Sequence, residues 1–165
     1  MRRRGRACAL QVLYQLELSG DLRPNEVREA ALRSALARFW HNFESVGEDD
    51  EQLTERLVLG VARQLEPLDR ALSSCSRNWR LSRMDKVDLS ILRLGAFELL
   101  FCDDMPREAS LNEAVELARE FSGGEAGAFV NGLLDRLAVD KPEPAGSRRS
   151  RAAAEADDSP APAAP

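Results

Sequence analysis

The sequence predicts an all-α protein. Of its 165 residues, 44% are hydrophobic but only 5% are aromatic, and Leu and Ala are abundant, which favours helices. Apolar residues recur every three or four positions through most of the chain, the spacing of one helix face. No alternating strand pattern and no internal repeat is present. The length is sufficient for one domain with its own hydrophobic core.

The first helix is predicted from about Arg3 to Leu18. It ends there because Ser19 and Gly20 form a stop signal. Its apolar stripe consists of Ala9, Leu10, Leu13, Tyr14 and Leu16. A helix with one such stripe is expected to pack that face against the rest of the domain.

The next two helical segments are separated by an acidic linker. The second helix is predicted to begin near Pro24, since proline is favoured in a first turn, and to end near Phe43. Residues 44–51 are mostly acidic and include a glycine, which indicates a linker. The helical segment after it is expected to kink or break at Pro67, which lacks a backbone donor and clashes with the preceding turn.

The C-terminal half contains three further helices. Residues 81–101 are apolar nearly all round the helix, which predicts a place in the middle of a bundle. The helix at residues 110–121 is expected to begin with a capping box, in which Ser110 and Glu113 satisfy amides of the first turn. Residues 125–138 form the last predicted helix.

Two charged residues interrupt the central apolar helix. These are Arg93 and Glu98, and at least one of them is expected to be buried. An unpaired buried charge costs several kcal/mol. Arg93 is therefore predicted to pair with a carboxylate of the following helix, with Glu113 or Glu116 as candidates.

The last 25 or so residues differ in composition from the rest. Residues 141–165 are rich in Pro, Ala and Ser and contain no larger apolar side chain, so they cannot bury enough surface to fold. The sequence therefore predicts a helical domain at residues 1–140 and a disordered tail at residues 141–165. Removing the tail is expected to leave the domain folded.

The sequence lacks the usual signatures of an enzyme. No glycine-rich nucleotide loop, metalloprotease motif or serine-hydrolase motif is present. There is one histidine, His41, beside apolar residues, and the three cysteines, Cys8, Cys75 and Cys102, are far apart and form no C-x-x-C. That pattern argues against a disulfide framework and a zinc site. We expect no catalytic residue, no cofactor and no metal, in a cytoplasmic protein without a membrane span.

The first six residues contain an unusual cluster of positive charge. Arg2, Arg3, Arg4 and Arg6 precede any acidic residue in a chain whose formal net charge is −5. Cations at a helix N-terminus oppose the helix macrodipole, and each one destabilises the helix by about 0.3–1 kcal/mol. A solubilising or frayed terminus is one interpretation. The other is a local binding surface for the phosphates of a nucleic acid.

The chain resembles the NusB family of bacterial transcription antitermination factors. The likeness begins with the arginine-rich first helix and is sharpest in the segments NEAVELA and FVNGLLD, which occur in the family's order and at its spacing. This resemblance implies seven helices in two three-helix bundles packed across each other. It also implies that the protein pairs with the ribosomal protein NusE, binds single-stranded boxA RNA, and joins other Nus factors on RNA polymerase to suppress termination in ribosomal RNA operons.

The resemblance also implies which residues meet these partners. RNA-binding roles follow for Arg2, Arg3, Arg4, Arg6, Tyr14, Glu125 and Phe129. Asp88 matches an acidic position of the central helix that faces NusE. Core packing is an alternative role for Tyr14. In the FVNG segment, Gly132 is predicted to allow another helix to approach closely.

Two other functions remain open alternatives. The family's helical domain also occurs fused to RNA cytosine methyltransferases, but such an enzyme needs a cofactor-binding domain and catalytic cysteines. The composition of residues 141–165 instead favours a stand-alone factor. The second alternative is an interaction module that binds protein and no RNA. A homodimer is also possible, because some family members dimerise through the RNA-binding region.

Overall fold

The computed structural model describes residues 2–43 and 46–139, and the predicted tail at 141–165 lies outside them. In these ranges the chain forms seven α-helices, one short 3₁₀ turn at Leu81–Arg83 and no strand. The helices are α1 (Arg3–Ser19), α2 (Glu29–Asn42), α3 (Glu48–Arg63), α4 (Leu65–Cys75), α5 (Lys86–Phe101), α6 (Arg107–Phe121) and α7 (Ala126–Val139). The predicted all-α fold class is confirmed.

The helices form two bundles that share α5 as their point of contact. α1, α2 and α3 pack against one another, and α5, α6 and α7 form a second group that α4 completes. α1 and α3 both contact α5, which joins the two bundles. Residues 89–98 of α5 are all buried, including a serine, an arginine and a glutamate. The prediction that this apolar helix lies in the middle of the protein is therefore correct.

Two of the helix starts that differ from the prediction have local reasons. α2 begins at Glu29 rather than near Pro24, because Asn25 has a φ of 64°, a left-handed conformation that a right-handed helix does not allow. α3 begins at Glu48, so the end of the predicted linker is helical. The first turn of α3 carries four carboxylates, and the positive end of the helix dipole stabilises negative charge at this position.

Pro67 acts at a helix start. The chain leaves the helical path at Gln64, between α3 and α4, and Pro67 lies in the first turn of α4. The first-turn amides have no partner within their own helix, so the missing N–H of proline costs nothing there. The predicted break is present, three residues before the proline.

The predicted capping box at Ser110 does not form. α6 begins three residues earlier, at Arg107, with Pro106 in the capping position. Ser110 is therefore inside the helix, where its hydroxyl is buried without a hydrogen-bond partner in the described residues. Glu113, the other predicted member of the box, instead binds Arg3 of α1.

The Arg93 prediction is correct about pairing and wrong about the partner. Arg93 is 6% exposed and donates two hydrogen bonds to Asp69 of α4, at 2.8 and 2.9 Å, and one to Glu17 of α1, at 2.8 Å. Lys86 also donates to Glu17, at 3.1 Å. The ionic contact thus joins α1, α4 and α5, and neither predicted glutamate takes part.

A glycine at the contact between α3 and α5 provides a stability test. A Cβ at Gly60 would overlap the ring of Phe97, whereas a Cβ at Gly132 would meet nothing within 4 Å. Gly60→Ala is therefore expected to lower the free energy of unfolding by about 1–3 kcal/mol, the usual cost of overpacking. Urea denaturation followed by circular dichroism measures this change.

Gly132→Ala is the matched control. Gly132 is exposed inside α7, so the predicted close helix approach at this position is wrong. Alanine there is expected to stabilise the protein by about 0.5–1 kcal/mol, because glycine is the poorer helix former. Equal effects of the two substitutions would contradict the assigned packing.

Candidate nucleic-acid interface

The start of α1 packs against α3, α5 and α6. The amide of Gly5 donates to the Asp50 carboxylate at 3.0 Å, and the Thr54 hydroxyl donates to the Gly5 carbonyl at 3.0 Å. A Cβ on Gly5 would lie 2.9 Å from the Asp50 carbonyl oxygen, so only glycine allows this close approach. The arginine-rich helix start is therefore a fixed element of the domain.

Arg6 belongs to the protein interior. It is 6% exposed, and its guanidinium donates to both oxygens of Glu98, at 2.7 and 3.2 Å. It also donates to the Arg2 carbonyl at 3.3 Å. With its donors bound in this way, Arg6 anchors α1 to α5 and has a structural role rather than an RNA-binding one.

Arg3 is intermediate between the interior and the surface. Its side chain is 47% exposed and forms two hydrogen bonds, of 3.1 and 3.3 Å, with the buried carboxylate of Glu113. The hydrogen bond to Glu113 raises the pKa of the Arg3 guanidinium. One edge of the Arg3 guanidinium therefore binds Glu113 of α6, while the rest of the side chain faces solvent.

Arg2 and Arg4 are free cations at the start of α1. Both are exposed, and neither forms an ion pair with a carboxylate in residues 2–43 or 46–139. Arg2 occupies the capping position of α1, its own side chain makes no capping hydrogen bond, and the first turn contains no acidic residue. Of the first-turn amides, that of Gly5 is bound by Asp50. The free guanidinium groups at the positive end of the helix favour a bound anion such as a phosphate.

A nearby carboxylate is already neutralised by another arginine. Arg56 binds Asp104 through two hydrogen bonds, of 2.6 and 2.8 Å, which lower the pKa of Asp104 to about 2. Asp104 therefore remains ionised and paired at neutral pH. Its charge weakens the field of Arg2 and Arg4 less than a free carboxylate would.

The other predicted site residues lie farther from the arginine cluster. Tyr14 is on α1, and Asp88 is near the N-terminal end of α5, whereas Arg6 binds Glu98 near its C-terminal end. Tyr14 is half-buried on α1, ten residues and about 15 Å after Arg4. Asp88 is half-buried and accepts a hydrogen bond of 2.5 Å from Ser122. Glu125, at the start of α7, is exposed. None of these residues contacts the arginine cluster.

Phe129 has an aromatic neighbour that the sequence analysis missed. Phe129 is half-buried, and its ring meets that of Trp79 edge to face, with centroids 6.5 Å apart. Trp79 is 61% exposed and lies in the connection between α4 and α5. A tryptophan flanked by Ser, Asn and Arg residues was the available signal, because such a segment has no apolar stripe to bury it.

The predicted site residues other than Tyr14 therefore fall into two regions at opposite ends of α5. The first region lies near Glu98 of α5, which binds Arg6, and the second lies near Asp88 of α5. Glu98 and Asp88 are ten residues apart, which corresponds to about 15 Å along the helix axis. A ligand that contacts both regions has to be extended.

The described residues contain few features typical of a catalytic or metal centre. No group of three or more potential metal-ligating side chains is found in these ranges. The three cysteines are buried, and burial raises the pKa of the Cys102 thiol to about 11, which suppresses its reactive thiolate. None of the helices described has the length and apolar character required to cross a bilayer.

Comparisons with known proteins agree on one family. Residues 3–139 match the model of the NusB family. The transcription antitermination protein NusB of Anaeromyxobacter dehalogenans is 43% identical over 141 residues, covering 86% of this chain and 92% of the relative. The Myxococcus xanthus protein of the same name is 43% identical, with 84% of this chain and 94% of the relative covered.

Solved structures show the same fold. NusB of T. maritima matches with a TM-score of 0.75 and 30% identity, covering 90% of this chain and 97% of that structure. A crystal structure of the antitermination factors NusB and NusE in complex with dsRNA matches with a TM-score of 0.68 and 25% identity, covering 86% of this chain and 99% of the matched one.

Proposed function

Because this chain belongs to the NusB family of transcription antitermination factors, we propose that it acts together with NusE by binding boxA RNA on nascent ribosomal RNA transcripts. In that role it joins other Nus factors on RNA polymerase and suppresses termination. It works in the cytoplasm, where transcription takes place. The role is one of binding and requires no catalytic residue, cofactor or metal.

The observation that carries the RNA-binding part is the pair of free cations at the start of α1. Arg2 and Arg4 are exposed without a carboxylate partner in the described residues, and the buried Arg6–Glu98 pair fixes the helix that presents them. Arg3 adds a half-exposed charge. Phosphate contacts by Lys and Arg supply most of the sequence-independent affinity for nucleic acids.

The NusE part of the proposal is supported by the solved relative. That complex contains NusB, NusE and dsRNA, and the chain described here covers nearly all of the matched chain. Asp88 is the proposed contact for NusE on this chain. Its carboxylate already accepts a hydrogen bond from Ser122, which orients it while it remains partly exposed.

Salt dependence tests the arginine assignment. In Arg2→Ala/Arg4→Ala the log–log slope of RNA affinity against salt concentration is expected to be shallower by about 1.4, at about 0.7 for each single-strand phosphate contact. Fluorescence anisotropy with a labelled boxA-like RNA measures this slope. Arg6 is retained, so the anchor of α1 stays intact.

Arg38→Ala/Arg70→Ala is the charge-matched control. These two exposed arginines lie on α2 and α4, and their loss changes the net charge by the same amount. The control is expected to keep the wild-type slope. If the Arg2/Arg4 variant also kept that slope, these arginines would have no role in phosphate binding.

A further inference from the structure

We propose that residues 76–83, here called the 76–83 loop, form a further RNA-contacting element in which Trp79 stacks on an unpaired base. Arg77, Arg80 and Arg83 contact phosphates of the same strand. This inference rests on the proposed RNA-binding function and adds residues that the family resemblance did not supply. Three observations support it: Trp79 is exposed, the backbone of the loop has a defined shape, and the three arginines of the loop have no carboxylate partner in the described residues.

Trp79 is unusually exposed for a tryptophan of a folded domain. It is 61% exposed, although its ring touches Phe129. The other tryptophan, Trp40, is half-buried on α2 and packs edge to face against Phe39. Most of the Trp79 indole is therefore available to a ligand. Phe129, an expected RNA contact, continues the same aromatic surface.

The loop has a defined backbone shape, and Phe129 contacts the indole that it presents. The Ser76 hydroxyl donates to the Trp79 carbonyl at 2.6 Å, and the amide of Arg83 donates to the Arg80 carbonyl at 3.0 Å. Leu81 is half-buried against the core and Met84 is 8% exposed, which anchors the end of the loop. A loop whose backbone is fixed before binding loses less entropy when the ligand arrives.

The three arginines of the loop are free cations. Arg77, Arg80 and Arg83 are exposed, and their side chains have no hydrogen bond or ion pair within residues 2–43 and 46–139. No acidic residue occurs from position 76 to position 84. Many exposed arginines elsewhere pair with a carboxylate within 4 Å, namely Arg23, Arg28, Arg33, Arg56, Arg63, Arg70 and Arg119.

This combination favours a single-stranded nucleic acid as the ligand. An indole surface stacks on any unpaired base, and nearby guanidinium groups bind the backbone, which is how proteins commonly hold single strands. A duplex has its bases stacked internally and would leave Trp79 without a partner. The loop adjoins the region of Phe129, so it lies with the second predicted contact region, away from Arg2 and Arg4.

The first test compares substitutions of the two tryptophans. Trp79→Ala is expected to weaken binding of a labelled single-stranded boxA-like RNA by about 5- to 100-fold, the loss typical of one stacked base. Trp79→Phe keeps an aromatic face and should retain most of the affinity. Trp40→Phe is the matched control and should bind as the wild type does, with its remaining tryptophan fluorescence quenched by RNA.

The second test concerns the arginines. Arg77→Ala/Arg80→Ala/Arg83→Ala is expected to reduce the log–log salt slope by about 2, whereas Trp79→Ala should leave the slope unchanged. Arg33→Ala/Arg38→Ala/Arg70→Ala is the charge-matched control. Melting temperatures of all variants establish that each protein remains folded.

The outcomes separate this inference from the proposed function. If the wild type binds RNA and the folded loop variants bind equally well, the loop assignment is overturned while the proposed function stands. If loop variants lose NusE in a binding assay without RNA but keep RNA affinity, the loop is a protein contact and the inference is again overturned. If the wild type binds no RNA, both fail.

Discussion

Arg6→Ala is expected to lower the free energy of unfolding by about 3–5 kcal/mol, because it leaves the Glu98 carboxylate buried without a partner. The side chains of Arg6 and Glu98 are 7% and 3% exposed, and their closest atoms are 2.7 Å apart. In the folded protein the Glu98 carboxylate is almost completely shielded from solvent, and the Arg6 guanidinium binds both of its oxygens. Urea denaturation followed by circular dichroism measures the loss.

Two control variants distinguish the broken pair from other effects. Arg6→Met/Glu98→Leu removes both charges at similar volume and is expected to recover most of the stability, since a buried pair is often replaceable by apolar residues. Arg33→Ala breaks an exposed pair, whose side chains are 59% and 49% exposed, and should cost less than about 1 kcal/mol. An Arg6→Ala protein as stable as Arg33→Ala would contradict the buried anchor.

Arg93→Ala is expected to destabilise the protein by about 3 kcal/mol, near the lower end of the range for a broken buried pair. The loss is smaller than for Arg6 because the partner carboxylates of Glu17 and Asp69 are 14% and 23% exposed and retain some water. Arg93→Lys should recover only part of the stability, because an ammonium lacks the planar fork that binds two carboxylates.

The pH dependence of the difference in stability between the wild type and Arg93→Ala is a second readout. Burial acts to raise the pKa of Glu17, but hydrogen bonds from Arg93 and Lys86 outweigh it, and the net pKa lies below the ordinary value of 4.5. A lowered carboxyl pKa contributes stability that is present above pH 4.5 and is lost as the pH falls through the folded-state value. The advantage of the wild type over Arg93→Ala should therefore shrink below pH 4.5. A difference that grows there would contradict the assigned pairing.

The helical fold was predictable because its signals are local and repeated. The nearly continuous apolar character of α5 predicted its central position. The errors arose where a few residues decide the backbone. Asn25 adopts a left-handed conformation that moves the start of α2, and α6 begins at Arg107, before its expected cap at Ser110.

The candidate site was less predictable, because the sequence does not reveal which charges lie against each other. The cluster at residues 2–6 was visible, yet only the fold brings Arg6 to Glu98, 92 positions away. Arg3 and Glu113, which also pair, are 110 positions apart in sequence. The exposure of Trp79 depends on how the 76–83 loop packs against α7, which periodicity cannot supply.

The central claim is that this protein and NusE bind boxA RNA together, and a binding cycle tests it most directly. RNA affinity is measured by anisotropy without and with saturating NusE, for single-stranded boxA-like RNA, a scrambled sequence of equal composition, and a duplex. NusE affinity is measured without and with boxA-like RNA. Because coupling between two ligands is reciprocal, both routes must give the same factor. We predict that NusE strengthens boxA binding more than binding of the scrambled strand or the duplex, with the same factor in both directions. A protein that binds NusE but shows no coupling to RNA, or that treats boxA and scrambled RNA alike in the presence of NusE, would contradict the claim.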